Sequence, residues 1–439
     1  MERIDVSSIL DTTKQESPAA RGISSMARAL VGSEILKIAN DVRAMLARGQ
    51  DVLNLTVGDF DSRQFRIPEL LARGIEEAIA AGHTNYPPAA GVPEARQAVQ
   101  ELFETRLGLA YPLDSVLIAG GARPMIAGIY YALVDRGDRV VYSLPSWNNN
   151  HYCTLVGAEM VEIPTTPATR FFPRVEDLEP HLESARLICL NSPQNPTGTV
   201  MEPEALRRIS RLIVEENERR KRRGQPALYL MYDQVYWMLT FAGAVHANPV
   251  SLVPEMAAYT IFVDGISKGF AATGLRVGWA VGPTDVIARM NAILTHIGAW
   301  APKPEQLATA ALLRDRAAVD TYLAGINGEV LARLSLLAKG VESLRARGFD
   351  VEAIAPEGAI YLSLRVGIAG KKKPSGELIS TDEDIRRYLL EEAGIALVPF
   401  TAFGLRQDSQ WFRASVGAVS KADCETIAGR LGRALEKLS

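Results

Sequence analysis

The sequence predicts an α/β fold: a mainly parallel sheet covered by helices, followed by a second, smaller α+β unit. Three observations carry this. Between residues 116 and 265, short apolar, β-branched runs alternate with amphipathic stretches, the pattern of strands joined by crossover helices. A long helical stretch then separates this region from a second set of strand-like runs. The chain, 439 residues at 47% hydrophobic and 23% charged, is long enough and apolar enough for two domains with a sizeable core.

In chain order, residues 1 to about 22 are polar and end at Pro18 and Gly22, which reads as a loosely held arm. From Ile23 to Arg48 apolar residues recur at helical spacing (Met26, Leu30, Ile35, Ile38, Val42, Leu46), and Gly49 stops the helix. DVLNLTVG reads as a strand. The alternation then runs SVLIAG with a helix from Pro124, RVVYSLP with a helix from Asn148, AEMVEIP, ARLICLNSP with a helix from Pro203, ALYLMYD and YTIFVDG. Residues Pro304 to Arg347 read as helical. FDVEAI, AIYLSLRV, ALVPF and QWFRASV form the second sheet, closed by a helix from Lys421. The expected division is residues 1–57 as arm and helix joining the small domain, 58–303 as the large domain and 304–439 as the small one. The basic runs Arg219–Arg223 and Lys371–Lys373 read as solvated helix ends or loops.

Charge and cysteine usage exclude several functions. Lys and Arg total 48 against 51 Asp and Glu, a net charge of −3, without the basic excess of a nucleic-acid binder. Residues 1–22 are also too short for a DNA-binding module. Cys153, Cys189 and Cys424 are odd in number and far apart, so no disulfide framework is expected and a reducing, cytoplasmic compartment fits. The first residues carry no signal-peptide core, and the longest apolar run, Met125 to Val134, falls short of the ~20 residues that span a bilayer. The five histidines form no ligand-spaced cluster, and no metal is expected.

The chemistry is concentrated in a few strand ends. Ser267-Lys268-Gly-Phe-Ala-Ala-Thr-Gly-Leu-Arg276 follows the apolar run YTIFVDG. A lysine there, its pKa depressed by apolar walls, can form a Schiff base with a carbonyl, and Ser267 and Arg276 suit a dianionic phosphate. Gly120-Gly121-Ala122 follows SVLI and opens a helix, where backbone amides can cradle a phosphate. Asn191-Ser-Pro-Gln-Asn195-Pro-Thr-Gly198 is a rigid turn presenting an amide at the same sheet edge. Tyr232-Asp233-Gln-Val-Tyr236 brings a carboxylate able to keep a ring nitrogen protonated, and Trp147 is placed to stack on a flat ring. Together these describe a cradle for a phosphorylated, protonated pyridine.

Through NSPQNPTG, YDQVY and SKGFAATGLRVGW, in order and at matching spacing, residues 23 to 439 resemble a class I/II aminotransferase of fold type I. The resemblance is to the aspartate aminotransferase superfamily, dependent on pyridoxal 5′-phosphate. It implies a large, cofactor-binding domain with a mainly parallel seven-stranded sheet. It makes Lys268 the lysine bound to the cofactor and the base of the proton shift, and Asp233 the partner of the pyridinium nitrogen. Tyr236 and Asn195 would bond the ring's 3′-oxygen, Gly121, Ala122, Ser267 and Arg276 the phosphate, and Trp147 would stack on the ring. Tyr86 matches a tyrosine that reaches the neighbouring subunit's phosphate, which implies a homodimer. Arg413 matches the arginine that forks onto the substrate α-carboxylate, and Gly58 the glycine whose backbone approaches it.

The reaction so implied moves an amino group from an L-amino acid to a 2-oxo acid, 2-oxoglutarate foremost. The alternative is a lyase, decarboxylase or cyclopropane-forming synthase on the same scaffold. Three stretches depart from the family pattern: Phe400 stands at a usual glycine, Val416-Gly417 replaces an aromatic-alanine pair, and the loop after Gly58 is longer and more basic. A second carboxylate on the substrate would need a further cation, for which Arg63, Arg66 and Lys303 are candidates. Trp300 and Phe400, if they line the pocket, would admit an aromatic donor.

Overall fold

The computed structural model describes residues 5–7, 10, 17, 20–30, 32, 34–241 and 243–439, so most of the N-terminal arm lies outside the described residues. The main sheet contains β2 (Val116–Ala119), β3 (Arg139–Leu144), β4 (Glu159–Pro164), β5 (Ala185–Asn191), β6 (Tyr229–Asp233), β7 (Thr260–Gly265) and β8 (Gly278–Val281), in the order β2-β8-β7-β6-β5-β3-β4. All neighbours from β7 to β4 pair in parallel; β8 alone runs antiparallel to both of its neighbours.

The inner strands are unbroken apolar runs because helices cover both faces. Even the edge strand β2 is covered on both faces: Val116 and Ile118 enter one core with the helices Pro93–Leu102, Pro203–Arg222 and Lys303–Arg314, while Leu117 and Ala119 enter the other with Ala122–Leu133 and Thr284–Ile297. The strand expected for each apolar run from SVLIAG to YTIFVDG is present. The sequence reading left out β8, whose Gly-Trp-Ala-Val is hidden at the end of the lysine motif.

A third core surrounds a second sheet. Here β9 (Val351–Ala353), β10 (Tyr361–Val366), β12 (Val398–Pro399) and β13 (Trp411–Ser415) pair antiparallel in the order β12-β13-β10-β9, against helices Arg316–Ala346, Asp382–Ala393 and Ile427–Leu435. The DVLNLTVG strand is only two residues long: β1 (Leu53–Asn54) pairs in parallel with β11 (Ile395–Ala396). Beyond it the carbonyls of Thr56 and Val57 accept hydrogen bonds from the side chains of Arg413 and Ser415 (2.7 and 2.6 Å), so the chain leaves the ladder to follow β13.

Three expectations are corrected. The helix from Ile23 to Arg48 is two, Ser25–Ala29 and Glu34–Ala47, with Leu30 extended and Gly32, a poor helix former, between them. The stretch Pro304–Arg347 is also two helices, divided at Asp315, whose carboxylate accepts the Ala318 N–H and starts the second. The basic run Arg219–Arg223 is not wholly solvated. Arg220 is buried, paired with Glu216 at 3.0 Å and donating to the carbonyls of Leu182, Ala185 and Pro226, which fixes the helix end to the start of β5.

Candidate active site

A cavity of about 840 Å³ opens where the parallel strands end, between the main sheet and the β10–β13 face of the second. Open α/β sheets bind ligands at such carboxyl ends, because the turns there are free to vary while the strands hold them. Asp233 ends β6 and Asn191 ends β5, and the two are direct register partners. Lys268 is the third residue after β7, on the short helix Ile266–Gly269.

At one end of the cavity the chain turns sharply from β2 into the helix Ala122–Leu133. Gly121 has φ +98°, and a Cβ there would overlap the Arg276 guanidinium, so glycine is what lets that arginine lie against the turn. The first N–H groups of this helix receive no side-chain cap. Arg276 donates to the carbonyls of Thr273 (2.7 Å) and Gly120 (3.0 Å), and the buried Ser267 lines the same region. Uncapped amides, a hydroxyl and a guanidinium converging around a glycine form a site for a multiply charged oxyanion.

At the floor, Lys268 Nζ donates to the Gly58 carbonyl at 2.6 Å and lies 5.7 Å from the Tyr236 ring centre. Burial lowers its pKa to about 8, the Asp59 carboxylate opposing this and the cations of Arg413, Arg123 and Arg276 adding to it. Asp233 moves the other way: burial raises its pKa to about 6, against the Val235 N–H on Oδ1 (3.0 Å) and the Lys268 charge. A carboxylate whose charge is incompletely compensated gains by facing a cation, and the protonated nitrogen of a pyridine is one.

The far wall is built by the second sheet. Arg413, fully buried on β13, donates to Asn195 Oδ1 (3.1 Å) and the Thr56 carbonyl (2.7 Å), while its guanidinium lies against the rings of Tyr361 (4.7 Å) and Phe403 (4.9 Å). Its Nε has no partner and no carboxylate of the described residues pairs with it, so the fork remains able to receive one. Gly58 approaches closely: a Cβ on it would be 3.0 Å from the Tyr361 hydroxyl and 3.6 Å from Arg413.

Of the residues singled out in the sequence, Gly58, Ala122, Trp147, Asn195, Asp233, Tyr236, Ser267, Lys268, Arg276 and Arg413 line this one cavity, and Gly121 adjoins it through Arg276. Tyr86 does not: it is 81% exposed and meets Trp300 edge-on at 5.2 Å. Arg63, Arg66 and Lys303 do not line it either. Arg63 is tied to Asp61 at 2.8 Å and is 87% exposed, Arg66 is exposed, and Lys303 donates to Asn85 at 2.8 Å.

Phe400 is buried in a core with Phe171, Phe403 and Trp411, outside the cavity, and Trp300 is also outside it. Gly417 is pressed against the Asp59 carbonyl, where a Cβ would overlap. Asp59, Arg123, Thr273 and Tyr361 line the cavity and were missed. Asp59 and Arg123 each follow a residue already singled out, whereas Tyr361 lies in AIYLSLRV, which reads only as a strand.

The residues fit a flat, phosphorylated, aldehyde-bearing pyridine: a cradle that a Cβ would fill, an amine depressed to about 8, a carboxylate for the ring nitrogen and an aromatic side chain. A buried guanidinium that pairs with no carboxylate of the described residues completes it for amino-acid carboxylates. That fold and this set of groups define a pyridoxal-phosphate-dependent enzyme of fold type I. The family model for aminotransferase class I and II matches residues 50–431, and the chain belongs to that family. It is similar to an aspartate aminotransferase of Rhizobium meliloti, 32% identical over 93% of this chain and 94% of the relative, and to an aspartate/prephenate aminotransferase of Thermus thermophilus, 30% identical over 88% and 93%. A crystal structure of the aspartate aminotransferase from Rhizobium meliloti superposes with a TM-score of 0.86 at 30% identity, covering 95% of this chain and 99% of that one. The protein is an aminotransferase using pyridoxal 5′-phosphate.

Proposed function

We propose that Lys268 holds the cofactor and carries the proton of an amino transfer from an L-amino acid, aspartate foremost, to a 2-oxo acid such as 2-oxoglutarate. The observation that carries this is the Lys268 amine, depressed to about 8 and set between Asp233 and Arg413. When bound, the cofactor supplies an electron sink into which charge from the amino acid's Cα can pass. Asp233 keeps a proton on the ring nitrogen, which is what makes the ring a sink. Tyr236 and Asn195 bond the 3′-oxygen, Gly121, Ala122, Ser267 and Arg276 hold the phosphate, and Trp147 covers a ring face.

Arg413 receives the substrate's α-carboxylate on its guanidinium, whose terminal nitrogens lie beside the Gly58 backbone, and so orients the Cα–H. Lys268 would serve as the base at Cα: its Nζ is held at the cavity floor by the Gly58 carbonyl, and a pKa near working pH suits it to take up a proton and give it back. Donor and acceptor use the same groups in opposite directions: the donor leaves as a 2-oxo acid and the acceptor leaves as an amino acid. Borohydride reduction and peptide mapping test the assignment; the pyridoxyl label belongs on Lys268, and a label on another lysine overturns it.

For a dicarboxylate the second cation in this reading is Arg123, not Arg63 or Arg66. Arg123 lines the cavity mouth, lies 4.4 Å over the Trp147 ring, and pairs with no carboxylate of the described residues. The names of the relatives, aspartate aminotransferases, support that substrate class. We also infer a C2 homodimer, supported by the exposed Tyr86, and a reducing cytoplasmic setting, supported by three unpaired, buried thiols. The separate cores support a large unit and a smaller one that includes residues 1–57, but helix Lys303–Arg314 packs in the core of the large unit, so the boundary falls after that helix and not at 304.

A further inference from the structure

We propose that Tyr361, through its hydroxyl bond to Tyr236, is a positioning residue that sets how strongly Tyr236 donates to the cofactor's 3′-oxygen. The inference rests on the reading that Lys268 binds the cofactor and Tyr236 faces that oxygen. The two hydroxyls lie 2.6 Å apart, both tyrosines are buried, and their rings meet edge-on with centres 5.5 Å apart. Tyr236 comes from the turn after β6 and Tyr361 from the first position of β10, so this bond joins the main sheet to the second.

Tyr361 is held on every side. Its ring face lies on the Arg413 guanidinium at 4.7 Å, its backbone pairs with Ser415 on β13, and its carbonyl lies so close to Gly198 that a Cβ there would overlap it. Gly58, whose carbonyl accepts a hydrogen bond from Lys268 Nζ at 2.6 Å, would bring a Cβ to 3.0 Å from the Tyr361 oxygen. A hydroxyl so confined cannot turn away from its partner.

A phenol oxygen can accept one hydrogen bond while donating another, and each strengthens the other. If Tyr361 donates to Tyr236, the Tyr236 proton is free for the 3′-oxygen and is the stronger donor for it. Arg413 favours this polarity, because its positive charge beneath the Tyr361 ring makes that hydroxyl the more acidic of the pair. Donation to the 3′-oxygen matters most when the nitrogen joining Lys268 to the cofactor has lost its proton, since the oxygen then carries its negative charge without a neighbouring cation. A stronger donor therefore lowers the pH at which that nitrogen titrates. The other charges facing the group are Asp59, Asp233, Arg123, Arg276 and Arg413, and none is altered by removing one tyrosine hydroxyl.

The test is a spectroscopic pH titration of the cofactor's visible band in the holoenzyme, for wild type, Tyr361→Phe, Tyr236→Phe and the double variant. Tyr361→Phe keeps the ring and its packing; its midpoint should move upward by at least about half a pH unit, the size of one weakened hydrogen bond. In the Tyr236→Phe background, adding Tyr361→Phe should move it no further. A midpoint within about 0.2 unit of wild type overturns the proposal, as does an equal shift in both backgrounds. Should Tyr361→Phe lose its fold, the Gly58→Ala holoenzyme, which crowds the same hydroxyl, must show the upward shift or the proposal falls. If wild type shows no titrating band at all, the cofactor reading has failed, which is a different result.

Discussion

At the end of the cavity assigned to the phosphate and ring, Gly121, Asp233, Ser267, Lys268 and Arg276 sit at or just beyond the strand ends of a single sheet, fixed by the register of β2, β6, β7 and β8. At the end assigned to the substrate, Thr56, Asn195, Tyr361, Phe403 and Arg413 come from five separate stretches of chain and meet because the second sheet docks on the first. The first end is rigid by construction, like the turns of any doubly wound sheet. The second is a contact between units. Damage at the first should therefore be read in kcat, and damage at the second in KM.

The largest separation of the two ends is expected from Asp233→Ala. Losing the ring nitrogen's partner removes the electron sink and should lower kcat by about a thousandfold or more, with phosphate contacts untouched. Steady-state rates within tenfold of wild type would break the contrast. Next is Arg413→Lys, which keeps a charge but not the fork. It should raise KM for amino-acid and 2-oxo-acid substrates by roughly 30- to 300-fold, the loss of one or two charge-assisted hydrogen bonds, with a smaller change in kcat.

The pH dependence of cofactor capture gives an effect of about tenfold per pH unit. The Lys268 amine must be neutral to attack the aldehyde, and burial lowers its pKa to about 8. On mixing cofactor-free protein with pyridoxal phosphate, the rate should climb about tenfold per unit up to about pH 8 and level above it. A climb continuing past pH 10, as for an exposed lysine, would show that the floor of the cavity is not as dry as its geometry requires.

The smallest effect sharpens the substrate end. The ratio of kcat/KM for aspartate to that for alanine should fall about tenfold in Arg123→Ala and stay within about twofold in Arg63→Ala, because Arg63 is exposed and already tied to Asp61. The reverse order would return the side-chain contact to the loop after Gly58.

The same contrast explains what was legible in the sequence. The parallel strands announce themselves as apolar runs, and the residues at their ends are local: Ser267, Lys268 and Arg276 lie within one motif. The fold class and most of the cavity floor follow. β8 escaped because its four residues begin at a glycine and adjoin that motif. Arg220 escaped because a basic run carries no sign of the carbonyls that converge on one of its members from the start of β5. Tyr361 and the orphaned Nε of Arg413 depend on antiparallel register between β10 and β13, and periodicity cannot say which residue of AIYLSLRV faces which residue of QWFRASV. Arg63 and Arg66 drew attention by composition, and only the ion pair with Asp61 and their exposure remove them from the cavity.

The segment from Leu53 to Asp59 has a consequence for dividing the protein into fragments. Its ladder partner is β11, its carbonyls at 56 and 57 are taken by β13 side chains, and the carbonyl of Gly58 is taken by Lys268 on the main sheet. Although it precedes the main sheet in the gene, it is a ribbon of the later-encoded unit threaded across Lys268. A split-protein pair cut just after residue 60 would thus leave both pieces with an unfinished ladder, and the piece that carries Lys268 without its carbonyl tether. Such a cut, keeping residues 50–60 joined to the N-terminal piece, would make reassembly itself depend on that ribbon finding β11, which turns the appearance of activity into a direct reporter of fragment association.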